Sequence, residues 1–275
     1  MAISNLMNKS FLTRAISGIV LAAIIILTGI VGGDVLFGLV AVVSIIGLFE
    51  VYRVVDIHNN ILGYIGYIST IAYYAVLRFA GNEYIMPVII GMLLLILAAY
   101  VFAFPKYEAP KITMAVFGFV YVVVLMSFLY QIRMTEDGIY TFWLVFIGSW
   151  ICDTCAYLTG VTCGKHKMAP ILSPKKSIEG AIGGVIGAAL VGGIYGIVID
   201  EYLTAIPYPA ITFAVMCGVA GLVSMIGDLC ASAIKRNYEV KDYGALIPGH
   251  GGILDRFDSV IFIAPVIYYI IYFIA

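Results

Sequence analysis

Nine apolar runs, each long enough to cross a lipid bilayer, dominate this chain of 275 residues. They fall at about 15–31, 35–52, 61–77, 84–104, 112–132, 139–161, 180–199, 207–227 and 259–275. A helix crossing the hydrocarbon layer needs about 20 mainly apolar residues. The runs are continuous rather than alternating with period two, which excludes an outer-membrane barrel. Composition agrees, with 63% hydrophobic and 11% charged residues against about 45–50% and about 25% in a soluble domain. A soluble fold of this length exposes too much surface to hide that many apolar side chains. A disordered chain needs the opposite composition. The fold class is therefore all-α, a polytopic integral membrane protein with about nine transmembrane helices. The first run has Lys9 before it and no small-residue cleavage pattern after it, so it reads as a retained helix rather than a signal peptide. Residues 1–138 hold about five spans, and 139–275 hold the remaining spans and the chemistry described next.

The placement of charge orients the spans. Thirteen of the 15 Lys and Arg residues lie in the N-terminal segment and the even-numbered gaps, while only Arg78 and Arg133 fall on the other side. By the positive-inside rule the N-terminus and the even loops are cytoplasmic, and nine spans put the C-terminus outside. The outer loops are short and acidic, with Asp34, Glu83, Glu136, Asp137, Asp200 and Glu201. Two long cytoplasmic stretches, about 162–179 and 228–258, hold most residues capable of chemistry, so the active site is expected on the cytoplasmic face. The five cysteines do not suggest a disulfide framework. Cys152 and Cys155 form a C-x-x-C pair with Cys163 nearby, but no second pair or His completes a ligand set, so packing is the better reading. There is no internal repeat or low-complexity tract.

Ionisable groups at membrane depth are costly and mark candidate sites. Asp153 lies inside the sixth run, and Glu50 lies close enough to the edge of the second to be ordinary. Asp228 ends the eighth run. Asp255 and Asp258 are spaced i, i+3, so they share one face of the helix that opens the ninth. Carboxylates without a Cys or His set suit a hard cation such as Mg²⁺, although acids at 255 and 258 also favour a helix N-terminus electrostatically. The intervening loop carries Lys235, Arg236, Lys241 and Arg256, and its Pro248-Gly-His-Gly-Gly252 turn is expected to offer backbone N–H groups to an anion. The other long loop carries Lys165, Lys167, Lys175 and Lys176 with the hydroxyls of Ser173 and Ser177. Anionic lipid head groups explain the lysines. They do not explain three acids, a glycine turn and His250 in one place, whereas a polyphosphate bound with Mg²⁺ does. The residues thus point to a membrane enzyme that handles phosphate groups, with no nucleic-acid partner.

The run Ser232-x-Ile-Lys-Arg-x4-Lys-Asp-x-Gly-x2-Ile-Pro-x-His-Gly-Gly-Ile-x-Asp-Arg-Phe-Asp258 resembles the signature of the phosphatidate cytidylyltransferases, also called CDP-diacylglycerol synthases. Asp153-Thr-x-Ala-Tyr-x2-Gly160 and Ser173-Pro-Lys-Lys-Ser-x-Glu-Gly180 are also similar to that family. The motif resemblance covers about 150–260; the first 140 residues agree only in being membrane helices.

The resemblance implies that CTP and phosphatidic acid are converted to CDP-diacylglycerol and pyrophosphate in phospholipid biosynthesis, in a bacterial inner membrane. A lipid phosphate oxygen would attack the α-phosphorus of CTP, and two polyanions need cations to meet. Asp228, Asp255 and Asp258 are the expected Mg²⁺ ligands; the sequence sets neither the existence nor the identity of a second cation. Lys175, Lys176, Lys235, Arg236 and Arg256 are expected to bind triphosphate or lipid phosphate. Ser173, Ser177, Ser232 and His250 would be polar or orienting contacts. Lys241, Gly251 and Gly252 complete the substrate-binding set, and Asp153, Glu179 and Asp242 belong to the motifs with open roles. No general base is called for, since a phosphate monoester is already anionic near neutral pH. A homodimer is implied by the family alone. Gly183, Gly187 and Gly192 suit close packing within one chain as well as between two. Two rival readings stay open: a CTP-dependent polyprenol or lipid kinase that transfers the γ-phosphoryl group, and a transporter whose path Asp153 lines.

Overall fold

The structure is a computed structural model that describes residues 2–274, with side chains from Leu12 onward. The side chain of Lys9 and the final residue of the ninth run, Ala275, lie outside the described residues. Helical rods stand at all nine expected places. The first four are α1 (Ala2–Val31), α2 (Gly33–Val54), α3 (Ile61–Phe79) and α4 (Ile85–Phe102). The fifth joins α5 (Ala109–Gly118) to α6 (Leu125–Arg133) through a wide π-type turn at Phe119–Val124. The sixth joins α7 (Gly138–Phe146) to α8 (Cys152–Cys163) through a second such turn at Ile147–Ile151. The last three are α9 (Ile178–Ile199), α10 (Pro209–Asn237) and α11 (Leu254–Ile274). Eight of the nine rods are long and apolar enough to cross a membrane. The exception is α3, where four tyrosines, Ser69 and Thr70 dilute the apolar content of 19 residues. Among the described residues the only strands are β1 (Lys167–Ala169) and β2 (Ser173–Ser177), an antiparallel hairpin in the loop before α9.

The rods form two compact units built from separate stretches of chain. Unit 1 takes the residues up to Thr28, Asp34–Ser127 and Val240–Arg256; unit 2 takes Gly29–Gly33, Phe128–Glu239 and Phe257 onward. The loop after α10 therefore belongs with the N-terminal helices, although it carries much of the family signature.

Unit 1 is held by aromatic side chains with satisfied polar ends. Tyr52 is fully buried, and its hydroxyl donates to the Ala115 carbonyl at 2.7 Å. Its ring lies so close to Gly66 that a Cβ there would meet it at 2.5 Å. Tyr73 meets Ser127 at 2.9 Å, and Tyr74 meets Ser44 at 2.6 Å. A tyrosine buried in a membrane helix needs such a partner, since an unpaired hydroxyl in lipid is costly.

Unit 2 is a glycine-faced packing of α8, α9 and α10. A Cβ on Gly183, Gly187 or Gly192 would lie 2.6–2.7 Å from the Cβ of Thr159, Cys155 or Cys217. These glycines therefore bring helices of one chain together, as small residues do in membranes. Cys152 packs the same way, with its thiol 3.6 Å from the Gly221 carbonyl. On the opposite face of α9, Ile182, Ile186, Leu190 and Ile194 are exposed, an apolar stripe suited to lipid.

Candidate active site

The first cluster lies in unit 2, where the end of α8, the hairpin and the start of α9 converge. Ser177 caps α9, its hydroxyl accepting from the Gly180 amide at 3.1 Å. The polar atoms around it leave no room for larger residues, since a Cβ at Gly164 would lie 2.7 Å from Ser177 Oγ. Glu179, whose role the sequence leaves open, clamps the preceding loop. Its carboxylate accepts from the amides of Lys165 and His166 and meets His166 Nδ1 at 2.6 Å.

These fixed ends wall a cavity of about 440 Å³. Asp153, Lys167, Lys175, Lys176 and Ser177 give it charge and polarity, while Tyr157, Val161, Met168 and Met225 give it apolar sides. Lys176 forms an ion pair with Asp228, and Ser232 Oγ donates to the other oxygen of Asp228 at 3.5 Å. Asp258 lies within electrostatic range of Asp228, Asp153 and Lys235. Three carboxylates and two lysines thus meet, from the start of α8, the C-terminal third of α10, the start of α11 and β2, a set with excess negative charge and hard oxygen donors. Ser173 and Arg236 lie apart from both the cavity lining and this charged cluster: Ser173 pairs with Ala169 in the hairpin, and Arg236 is exposed in the last turn of α10.

The second cluster is the 240–256 loop of unit 1. Ile247 to His250 form a tight turn closed by the His250 amide on the Ile247 carbonyl at 2.9 Å. Pro248 occupies its second position and Gly249, at φ 77°, its third, the pattern of a type II turn. The loop is pinned from beneath by two buried carboxylates. Glu50, only 3% exposed, accepts from the amides of Ile253 at 3.0 Å and Leu254 at 2.9 Å. Asp255 accepts from Tyr243 at 2.8 Å and Gly252 at 2.9 Å. Arg53 donates to the Tyr243 carbonyl at 2.6 Å.

This narrows the expectation that the glycine turn presents its amides to an anion. Within the turn the amides of His250 and Gly252 are engaged internally, as are those of Ile253 and Leu254 just beyond it, where Glu50 occupies the start of α11. Cationic side chains also face the space. Arg14, Lys241, His250 and Arg256 line a second cavity of about 440 Å³, together with Asp242, Gly249 and Gly251. Burial first, then the charges of Arg256 and Arg14, hold the His250 pKa below its ordinary 6.5, so the ring is neutral at pH 7.

Among the described residues no three His, Cys, Asp or Glu side chains form a ready-made metal cage. Glu50, Arg14, Ser17 and Lys167 are the residues of these sites that the motifs did not mark. Lys167 carried a signal in its place in the lysine-rich loop, and Glu50 carried one in its charge near the membrane edge, which reads as ordinary until its bonds to Ile253 and Leu254 are seen.

Comparison with known proteins follows the same lines. The sequence model of the cytidylyltransferase family matches residues 12–274. A phosphatidate cytidylyltransferase of Thermotoga maritima is 32% identical over 93% of this chain and 94% of its own. One from Staphylococcus saprophyticus is 32% identical over 68% of this chain and 69% of its own. One from Synechocystis is 45% identical over 46% of this chain and 42% of its own. The chain belongs to the cytidylyltransferase family.

Proposed function

We propose that this protein transfers CMP from CTP to phosphatidic acid, giving CDP-diacylglycerol and pyrophosphate. The observation that carries this reading is the unit 2 cavity, which combines lysines with apolar walls. A free nucleotide has no use for the apolar side, but a lipid has a phosphate for Lys175 and Lys176 and chains for Tyr157, Met168 and Met225. The unit 1 cavity, lined by Arg14, Lys241, His250 and Arg256, suits a wholly ionic ligand, the triphosphate of CTP. The relatives that span most of the chain carry the same activity in their names.

The lysines and arginines act by offsetting the repulsion between two polyanions, which is the main obstacle to in-line attack of the lipid phosphate on the α-phosphorus. Lys176 is held by Asp228 before substrate arrives, which keeps the ammonium fixed rather than free to sweep. His250, neutral at pH 7, is suited to a hydrogen bond rather than to charge pairing. The proposed cofactor is Mg²⁺, which takes one or two carboxylates and completes its shell with water and phosphate. Asp228 and Asp258, within electrostatic range of each other in unit 2, would hold it, and Asp255 of unit 1 is proposed as a ligand from the sequence pattern alone. When bound, the ion would neutralise charge on the phosphates. The hydrogen bonds of Asp255 to Tyr243 and Gly252 would orient its carboxylate, as outer-shell donors do at metal sites. The site is proposed to face the cytoplasm of a bacterial inner membrane, with the N-terminus on the same side, because thirteen of the 15 basic residues fall there. A homodimer remains a proposal from the family, with no part for the glycines of α9 that pack inside the chain.

The test is the fate of label from CTP with purified protein and phosphatidic acid. Label from the α-phosphate must enter the lipid. Label from the γ-phosphate in the lipid would make the protein a lipid kinase and sink this reading.

A further inference from the structure

The first helix touches the signature loop at three points that no motif marks. Ser17 Oγ lies 3.0 Å from the Pro248 carbonyl and 2.8 Å from His250 Nδ1. The His250 ring lies over Gly18, where a Cβ would sit 3.6 Å from Cε1. The stem of Arg14 crosses Gly249, where a Cβ would lie 2.7 Å from Arg14 Cγ. Gly249 is also in the left-handed region at φ 77°, so both the turn and the arginine require glycine at this position. Arg14 then joins Lys241 and Arg256 in lining the ionic cavity.

The hydroxyl of Ser17 has a single proton and several acceptors. The carbonyls of Thr13, Arg14 and Pro248 all lie within 3.1 Å. A helical serine commonly gives its proton to the carbonyl one turn back. With the proton so placed, His250 Nδ1–H donates to Ser17 Oγ, and Nε2 keeps its lone pair free.

We propose that α1 supplies two residues of the nucleotide pocket: Arg14, a cation that contacts the triphosphate, and Ser17, a positioning residue that fixes the ring and tautomer of His250. This rests on the functional reading above and deepens it by extending the nucleotide site to the first helix. Three cations against the single carboxylate of Asp242 leave the cavity net positive, an arrangement that serves phosphate oxygens better than it serves packing.

The experiment uses the purified full chain with α-labelled CTP and phosphatidic acid, varying each substrate in turn. Arg14→Ala should raise the KM for CTP about tenfold and leave that for phosphatidic acid within about twofold, with most of the loss restored by Arg14→Lys. Ser17→Ala should lower kcat/KM for CTP about fivefold, and Ser17→Thr should rescue it. Selective ¹⁵N labelling of the three histidines reads the tautomer directly: His250 should be Nδ1-protonated in the parent protein and mixed in Ser17→Ala. An unchanged KM for CTP in Arg14→Ala overturns the role of Arg14. An unchanged tautomer and unchanged kinetics in Ser17→Ala overturn that of Ser17. A parent protein that puts no α-label into lipid overturns the functional reading and this assignment with it, whereas label incorporated at an unchanged KM overturns the assignment alone.

Discussion

The two cavities are almost equal in volume, about 440 Å³ each, yet they are built by opposite means. The one in unit 2 is cut between helix ends that glycines bring close together, and its charges sit among Tyr157, Met168 and Met225. The one in unit 1 is a loop pinned by amide bonds to Glu50 and Asp255, with side-chain cations facing its space. The first is shaped by backbone packing and suits a ligand with a polar head and an apolar body. The second is shaped by buried carboxylates and suits an ion. The contrast assigns different kinds of fragility to the two sites, and substitutions can expose it.

The largest effect is expected from Asp228→Asn, which removes the partner of Lys176 and one of the clustered charges. Turnover should fall by roughly 10²–10³-fold with the melting temperature close to that of the parent; near-normal turnover would remove Asp228 from the chemistry. Glu50→Gln should behave in the opposite sense, as a stability change. It puts an amide group where two N–H donors need an acceptor, and should cost about 2 kcal/mol in unfolding free energy. Denaturation in detergent, read beside the KM values for both substrates, would show loss of CTP use ahead of loss of lipid use. Equal losses for both substrates would erase the distinction between the cavities. Lys176→Ala should raise the KM for phosphatidic acid about tenfold and that for CTP far less; a larger effect on CTP would exchange the two assignments.

The smallest effect concerns pH. His250 binds its proton more weakly in the folded chain than in the unfolded one, whose value is the ordinary 6.5. As pH falls the unfolded state takes up that proton first. The stability contributed by the neutral ring is therefore complete above pH 6.5 and is lost as pH drops through the lower folded value. Between about pH 7.5 and about pH 5.5 the parent should lose slightly more melting temperature than His250→Gln. A larger loss in the variant would reverse the sign and contradict the half-buried, cation-flanked ring.

The rods were legible because hydropathy is a local property: among the described residues a helical rod stands at each apolar run, and eight of these rods are long and apolar enough to cross a membrane. The π-type turns at Phe119–Val124 and Ile147–Ile151 were not, since nothing in Phe-Val-Tyr-Val-Val-Val or Ile-Gly-Ser-Trp-Ile departs from an ordinary apolar helix. Lys175, Lys176 and Asp228 were legible as motif residues, and their meeting in one cluster follows from helix ends converging. Glu50, Arg14 and Ser17 were illegible for a different reason. The partners of Glu50 and Ser17 stand 203 to 233 residues away along the chain, Arg14 meets the same distant loop at Gly249, and no spacing rule connects such positions. The engagement of the Ile253 and Leu254 amides was illegible for the same reason, since their acceptor comes from α2.

The grip of Glu50 on Ile253 and Leu254 also bears on how the chain comes together. The carboxylate is synthesised about 200 residues before the amides it receives. The signature loop therefore cannot reach its working shape from its own sequence, and has to close on a helix already seated in the membrane. Substrate handling by that loop is thus reserved for chains whose early and late segments have found each other, which makes one buried acid an inspection point for the assembly of the whole protein.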